Sequence, residues 1–146
     1  MHKSLANALL FLALSLSHSA FSHEGEHHEH DESEPDSQLE SGHGWRVVRS
    51  IEMGTSGKFI HMILIDHDVH TDKTVYSAAI NRLCRTTDEE FCRLRFWSQE
   101  RYIPEKVSLT TEQNKQLKAE YVVNKTTGIL QLRWSCSVNP VKGQCF

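Results

Sequence analysis

The 146 residues carry sixteen Lys or Arg against nineteen Asp or Glu, a formal net charge of −3, with 8% aromatic residues and four cysteines. A chain this close to neutral presents no overall basic field for nucleic acid, and none of its apolar runs reaches the ~20 residues needed to span a bilayer. Nucleic-acid binding and stable membrane insertion are therefore excluded as expectations, and the length is that of one ordinary domain.

The chain opens with Lys3, continues through the apolar run LANALLFLALSLS (5–17) and reaches small residues at SAFS (19–22). A basic start, a short apolar stretch and a small-residue end make up a secretory signal, so residues 1–22 are expected to be removed and the remainder exported. The periplasm of a Gram-negative bacterium is the expected compartment, with secretion as the alternative.

The next stretch, HEGEHHEHDESEPD (23–36), packs four histidines and seven carboxylates into fourteen residues. Residues 23–43 contain eight acidic side chains and no Lys or Arg, whereas 44–146 hold fifteen Lys or Arg against eleven Asp or Glu. With Leu39 as its one large apolar residue, segment 23–43 cannot bury enough surface to offset its chain entropy and is expected to be a disordered acidic arm. Residues 44–146 are expected to form a single domain.

Within that domain WRVVRSIEM (45–53) and FIHMILID (59–66), separated by the turn residues GTSGK, predict a β-hairpin. TDKTVYSAAINRLC (71–84) predicts a helix capped by Thr71, with Val75, Ala78, Ala79 and Leu83 forming its apolar stripe. FCRLRFWSQ (91–99) predicts a strand with Cys92, Leu94 and Phe96 on one face and Arg93, Arg95 and Trp97 on the other. SLTTEQNKQLKAEYVVN (108–124) starts with a Thr cap and a Glu112 or Gln113 capping-box partner, which predicts a second helix to about Asn124. ILQLRWSC (129–136) predicts the last strand.

The resulting order, ββαβαβ, is that of an α+β two-layer sandwich: a four-stranded mixed sheet with both helices packed on one face. The opposite face is then expected to be open to solvent, presenting Arg93, Arg95, Trp97, Gln131 and Arg133 together with His61 and Phe59. Such a cationic and aromatic face would suit another periplasmic protein, or the acidic arm of the chain itself.

An even cysteine count in an exported chain predicts two disulfides among Cys84, Cys92, Cys136 and Cys145. Cys84–Cys92 with Cys136–Cys145 is favoured because each closes a short loop, and Cys92–Cys136 is the competitor. No C-x-x-C pair points to zinc instead.

The series Cys84, Cys92, Phe96, Trp97, Pro104, Leu109, Thr110, Gln113, Tyr121, Asn124, Thr127, Gly128, Leu132, Trp134 and Cys136 resembles a pattern found in a group of small secreted bacterial proteins. The resemblance covers roughly residues 75–136. It implies an exported α/β domain and carries no chemistry. The arm is similar in composition to the histidine tracts of periplasmic zinc-handling proteins.

Two clusters are candidate metal sites. In the arm, His23, His27, His28 and His30, with His43 reachable through a spacer, offer imidazole lone pairs at neutral pH beside carboxylate oxygens, a donor set for Zn²⁺, Cu²⁺ or Ni²⁺. Cleavage before His23, or after Ala20 so that His23 stands third, would add the new α-amine as a copper or nickel ligand. The second cluster is DHDVH, where Asp66, His67, Asp68 and His70 gather oxygen and nitrogen donors at a strand-to-helix connection. No nucleophile elbow, HExxH pair or phosphate loop occurs, so no enzyme activity is expected. The expected function is binding or buffering of divalent transition metal by the arm, with protein interaction through the sheet face as the alternative.

Overall fold

A computed structural model of the protein describes residues 39–85 and 90–146. The expected signal and the arm as far as residue 38 lie outside the described residues, and His23, His27, His28 and His30 with them. The sheet has six strands in chain order: β1 (Ser41–Gly42), β2 (Trp45–Glu52), β3 (Phe59–Ile65), β4 (Phe91–Trp97), β5 (Ala119–Asn124) and β6 (Ile129–Trp134). Only β3 and β4 run parallel, and helix α1 (Lys73–Arg85) forms the crossover between them. A five-residue helix, α2 (Thr111–Lys115), lies between β4 and β5.

The mixed α+β class and the disulfides agree with the sequence, whereas the four-stranded count does not. The capping box forms as expected, with Gln113 N donating to Thr110 Oγ1 and Thr110 N donating to Gln113 Oε1. The helix then stops at Lys115, and the expected second half of it is strand β5. Ala119, Tyr121 and Val123 alternate with Glu120 and Val122, and the strand finds partners on both sides, β4 and β6. Two ladders of backbone hydrogen bonds outweigh the continuing helix pattern, because strand preference is decided by neighbours. NKTTG (124–128) is consequently a β5–β6 hairpin turn with Gly128 at φ +71, and not a helix stop.

The second addition, β1, places residues 39–43 in the fold and not in the arm. Val47 N donates to Glu40 O, Glu40 pairs with Arg82, and Ser41–Gly42 join β2. The turn accepts only glycine at Gly42, since a Cβ there would lie 2.4 Å from the Trp45 indole nitrogen.

One face of the sheet is covered by α1. Val75, Tyr76, Ala79 and Leu83 pack on Trp45, Val47, Ile63, Ile65, Leu94 and Phe96. Tyr76 takes the place expected of Ala78, which is exposed. Its ring sits edge-on to both Phe96 and Trp134, and its hydroxyl donates to His70 O at 2.6 Å. Asp72, one residue beyond the expected Thr71, caps the helix by accepting from Thr74 N at 2.9 Å. Hydrogen bonds from the Thr74 hydroxyl and backbone lower the Asp72 carboxyl below the ordinary carboxylate range. Cys84–Cys92 ties the end of α1 to β4, and closing so short a loop restricts the unfolded chain by about 2–3 kcal/mol in the chain-entropy picture.

The other face is not covered by a packed helix but by the whole β4–β5 connection, residues 98–118. Ile103 and Leu117 seal Ile60, Met62 and Trp97. Arg49 Nη1 donates to Pro104 O, Arg46 pairs with Glu100, and Trp97 Nε1 donates to Gln113 O, which fastens α2 on this side. The two helices therefore lie on opposite faces, because the chain crosses the sheet in parallel fashion only once. The second disulfide, Cys136–Cys145, folds the C-terminal residues back onto β6, where Phe146 N donates to Trp134 O and Cys136 N donates to Phe146 O.

Candidate interaction surface

The strand alternation read for β4 holds: Arg93, Arg95 and Trp97 share the face opposite α1. Their exposure differs from the expectation of an open face. Trp97 is fully buried and Arg95 is 8% exposed, because residues 98–118 close over the upper part of that face. His61 is not there either. It pairs in register with Leu94 and so lies on the α1 face, where its Nδ1 is 2.7 Å from Ser50 Oγ across the β2–β3 ladder.

What the arginines meet is Glu120. Register sets Arg95, Glu120 and Arg133 side by side on β4, β5 and β6, with Arg93 one pair further along. Glu120 Oε1 accepts from Arg93 Nε and Nη2 at 3.0 and 2.6 Å and from Arg95 Nε at 2.9 Å. Its Oε2 accepts from Arg133 Nη2, and Arg95 Nη1 donates to Val107 O at 2.7 Å. Burial of the side chain, 5% exposed, pushes the carboxyl up. The hydrogen bonds from Arg95, Arg93 and Arg133 and the Arg93 charge outweigh burial and hold it at about 2. Three guanidinium groups share one carboxylate, so the cluster stays cationic. Arg93 and Arg133 remain partly open to solvent beside half-buried Val122 and exposed Gln131. Glu120 falls inside the helix expected over 108–124 and so is absent from the residues expected at the site; its register between Arg95 and Arg133 is what places it among arginines.

The candidate metal loop is a 3-10 turn, His67–Val69, held by its own hydrogen bonds. His70 Nδ1 donates to the His67 carbonyl at 2.6 Å, and the two imidazoles stack with centroids 5.2 Å apart. Stacked rings direct their lone pairs side by side and not toward a common centre. Asp66 and Asp68 are exposed, His43 occupies the exposed β1–β2 turn, and among the described residues no three His, Cys, Asp or Glu side chains gather as a metal site.

Both disulfides have the pairing favoured from loop length, and bonds of this kind persist in oxidising compartments. Among the described residues no helix is long and apolar enough to cross a membrane. Among the described residues one open hollow of 410 Å³ lies within residues 101–113, and another of 330 Å³ lies between the end of β6 and residues 143–146. Comparison with protein-family models, with curated proteins and with solved structures finds no match to this chain.

Proposed function

We propose that the protein is an exported, periplasmic binder of divalent transition metal, zinc or copper with nickel as a third candidate, whose ligands are carried by the arm on a disulfide-stapled domain. The observation that carries this reading is the stretch HEGEHHEHDESEPD, where His23, His27, His28 and His30 lie within fourteen residues that also hold seven carboxylates. Neutral imidazoles supply lone pairs at pH 7, and the carboxylates supply oxygen donors and balance the metal charge. The domain gives the arm a stable attachment.

The test compares the intact protein with one lacking residues 23–38, both purified without a metal-affinity step. The truncation stops at 38 because Glu40 bonds Val47 and Arg82 and belongs to the domain. Zinc and copper titrations by calorimetry are expected to show binding by the first only, at equal thermal stability. Equal metal affinity in the truncated protein removes the arm from the function.

A second reading rests on the partly exposed pair Arg93 and Arg133, whose cluster keeps positive charge after Glu120 is matched. It makes the protein an interaction module for a periplasmic partner that presents carboxylates. With the arm removed, a glutamate-rich peptide is expected to bind and to be lost in Arg133→Gln. Peptide binding indifferent to that substitution rules the reading out.

A further inference from the structure

The two disulfides sit in unlike surroundings. Cys92 is 5% exposed and belongs to the core under α1, with half-buried Cys84 packed against the same core. Attack on that bond at Cys84 would expel the Cys92 thiolate into apolar surroundings, where it is a poor leaving group. Cys136 is exposed and Cys145 half-buried, and Cys145 lines the open 330 Å³ hollow beside Arg133 and Trp134. Both sulfurs of the second bond can leave into water.

What the second bond holds is also separable from the domain. The turn 135–139 is anchored without it: Ser135, Val138 and Asn139 are buried, Val138 N and Asn139 N donate to Ser135 O, and Lys73 Nζ donates to Asn139 Oδ1 at 2.7 Å. Beyond that turn residues 140–146 bury little. Cys145 is half-buried and the others are exposed, Val141 at 45% and Phe146 at 42%. Two backbone bonds join this strap to the end of β6, Phe146 N donating to Trp134 O at 3.0 Å and Cys136 N donating to Phe146 O at 3.2 Å. The Arg133 guanidinium lies over the Phe146 ring, 5.5 Å from its centre. Contacts so few and so open to solvent do not offset the chain entropy of the strap once its covalent tie is gone.

We propose that Cys136–Cys145 is a thiol–disulfide exchange site, opened by a dithiol in the folded protein and releasing residues 140–146 from β6. A thiolate of the dithiol bonds to the Sγ of Cys136, the exposed partner. The Cys136–Cys145 bond breaks, and Cys145 leaves with the bonding pair and takes up a proton. The second thiolate of the dithiol then bonds to the first sulfur of the same molecule, and Cys136 leaves in turn and is protonated. The dithiol is thereby oxidised to a disulfide, and the protein gains two electrons and two protons. Opening takes the Phe146 ring off Arg133 and frees the carbonyl of Trp134. An oxidised dithiol runs the same steps backwards and closes the strap.

Dithiothreitol serves as the dithiol in the test. The oxidised protein is treated with it in the absence of denaturant and quenched with iodoacetamide at intervals, and the labelled cysteines are located by peptide mass spectrometry. Cys136 and Cys145 are expected to be labelled together, with Cys84 and Cys92 slower by roughly 100-fold or more because they wait on opening of the core. Hydrogen exchange after this partial reduction is expected to show lost protection at Phe146 N–H, while α1 and β4 keep theirs. The double variant Cys136→Ser with Cys145→Ser is expected to melt cooperatively and to show the same loss at Phe146. Labelling of Cys84 and Cys92 as fast as the other pair overturns the proposal, as does a Cys136–Cys145 bond that yields only in denaturant. Protection at Phe146 that survives reduction, or a double variant without a cooperative melt, overturns it equally.

Discussion

The two faces of the sheet are both buried over much of their area, yet by different means. The α1 face is closed by one helix through apolar contact, with Trp45, Val47, Ile63, Ile65, Leu94 and Phe96 beneath it. The opposite face is half apolar, under residues 98–118, and half electrostatic, where Glu120 draws three arginines together. A buried carboxylate is stabilising only while its partners stay in place, since an unpaired charge in the same position costs several kcal/mol.

Substitution on each face sharpens that contrast. Phe96→Ala removes a fully buried ring in contact with Tyr76 and is expected to cost about 3–5 kcal/mol in chemical denaturation. Glu120→Gln leaves the shape and removes the charge, so Arg95 is left buried without its counter-ion. The expected loss is about 3 kcal/mol. The double change Arg95→Met with Glu120→Leu is expected to recover most of that loss, because Arg93 and Arg133 can turn to water. Failure of the double variant to exceed Glu120→Gln in stability would mean that packing, not charge, governs this face.

Acid separates the faces without mutation. The Glu120 carboxyl is held at about 2 against an ordinary 4.5. Its contribution is therefore complete above pH 4.5 and is lost as the pH falls through 2, a change of roughly 3 kcal/mol. A stability profile between pH 5 and pH 2 is expected to be shallower in Glu120→Gln, and identical slopes would contradict the assignment. The smallest effect belongs to the cover of the arginine face: Thr110→Ala removes one arm of the α2 capping box and is expected to cost about 1 kcal/mol in thermal melting.

The legibility of these features in the sequence divides along physical lines. Alternation in FCRLRFW separated Leu94 and Phe96 from Arg93, Arg95 and Trp97, because side-chain direction in a strand is set locally. What covers each face is set by chain connectivity, and the 98–118 connection, with little periodicity of its own, gave no sign that it would bury Trp97. Residues 116–124 follow the helix start at Thr110–Gln113 with no stop signal before NKTTG, and the β4 partner that makes 119–124 a strand is distant in sequence. The loop-length argument for the disulfides succeeded because both bonds are local. The candidate metal loop read as a set of donors by composition, but its hydrogen bonds stack His67 on His70.

The connections between strands also divide into two kinds. Residues 43–44, 53–58 and 125–128 are tight turns, whereas 66–90 and 98–118 are long excursions, and β4 is the strand that both excursions serve. Neighbours joined by short turns meet quickly, and closing a long loop is the slower event. The β2–β3 and β5–β6 hairpins are thus expected to form first, with β4 entering between them to complete both faces together. The rate at which the molecule assembles should then be most sensitive to Leu94 and Phe96, which with Cys92 are the residues of that central strand that α1 must cover.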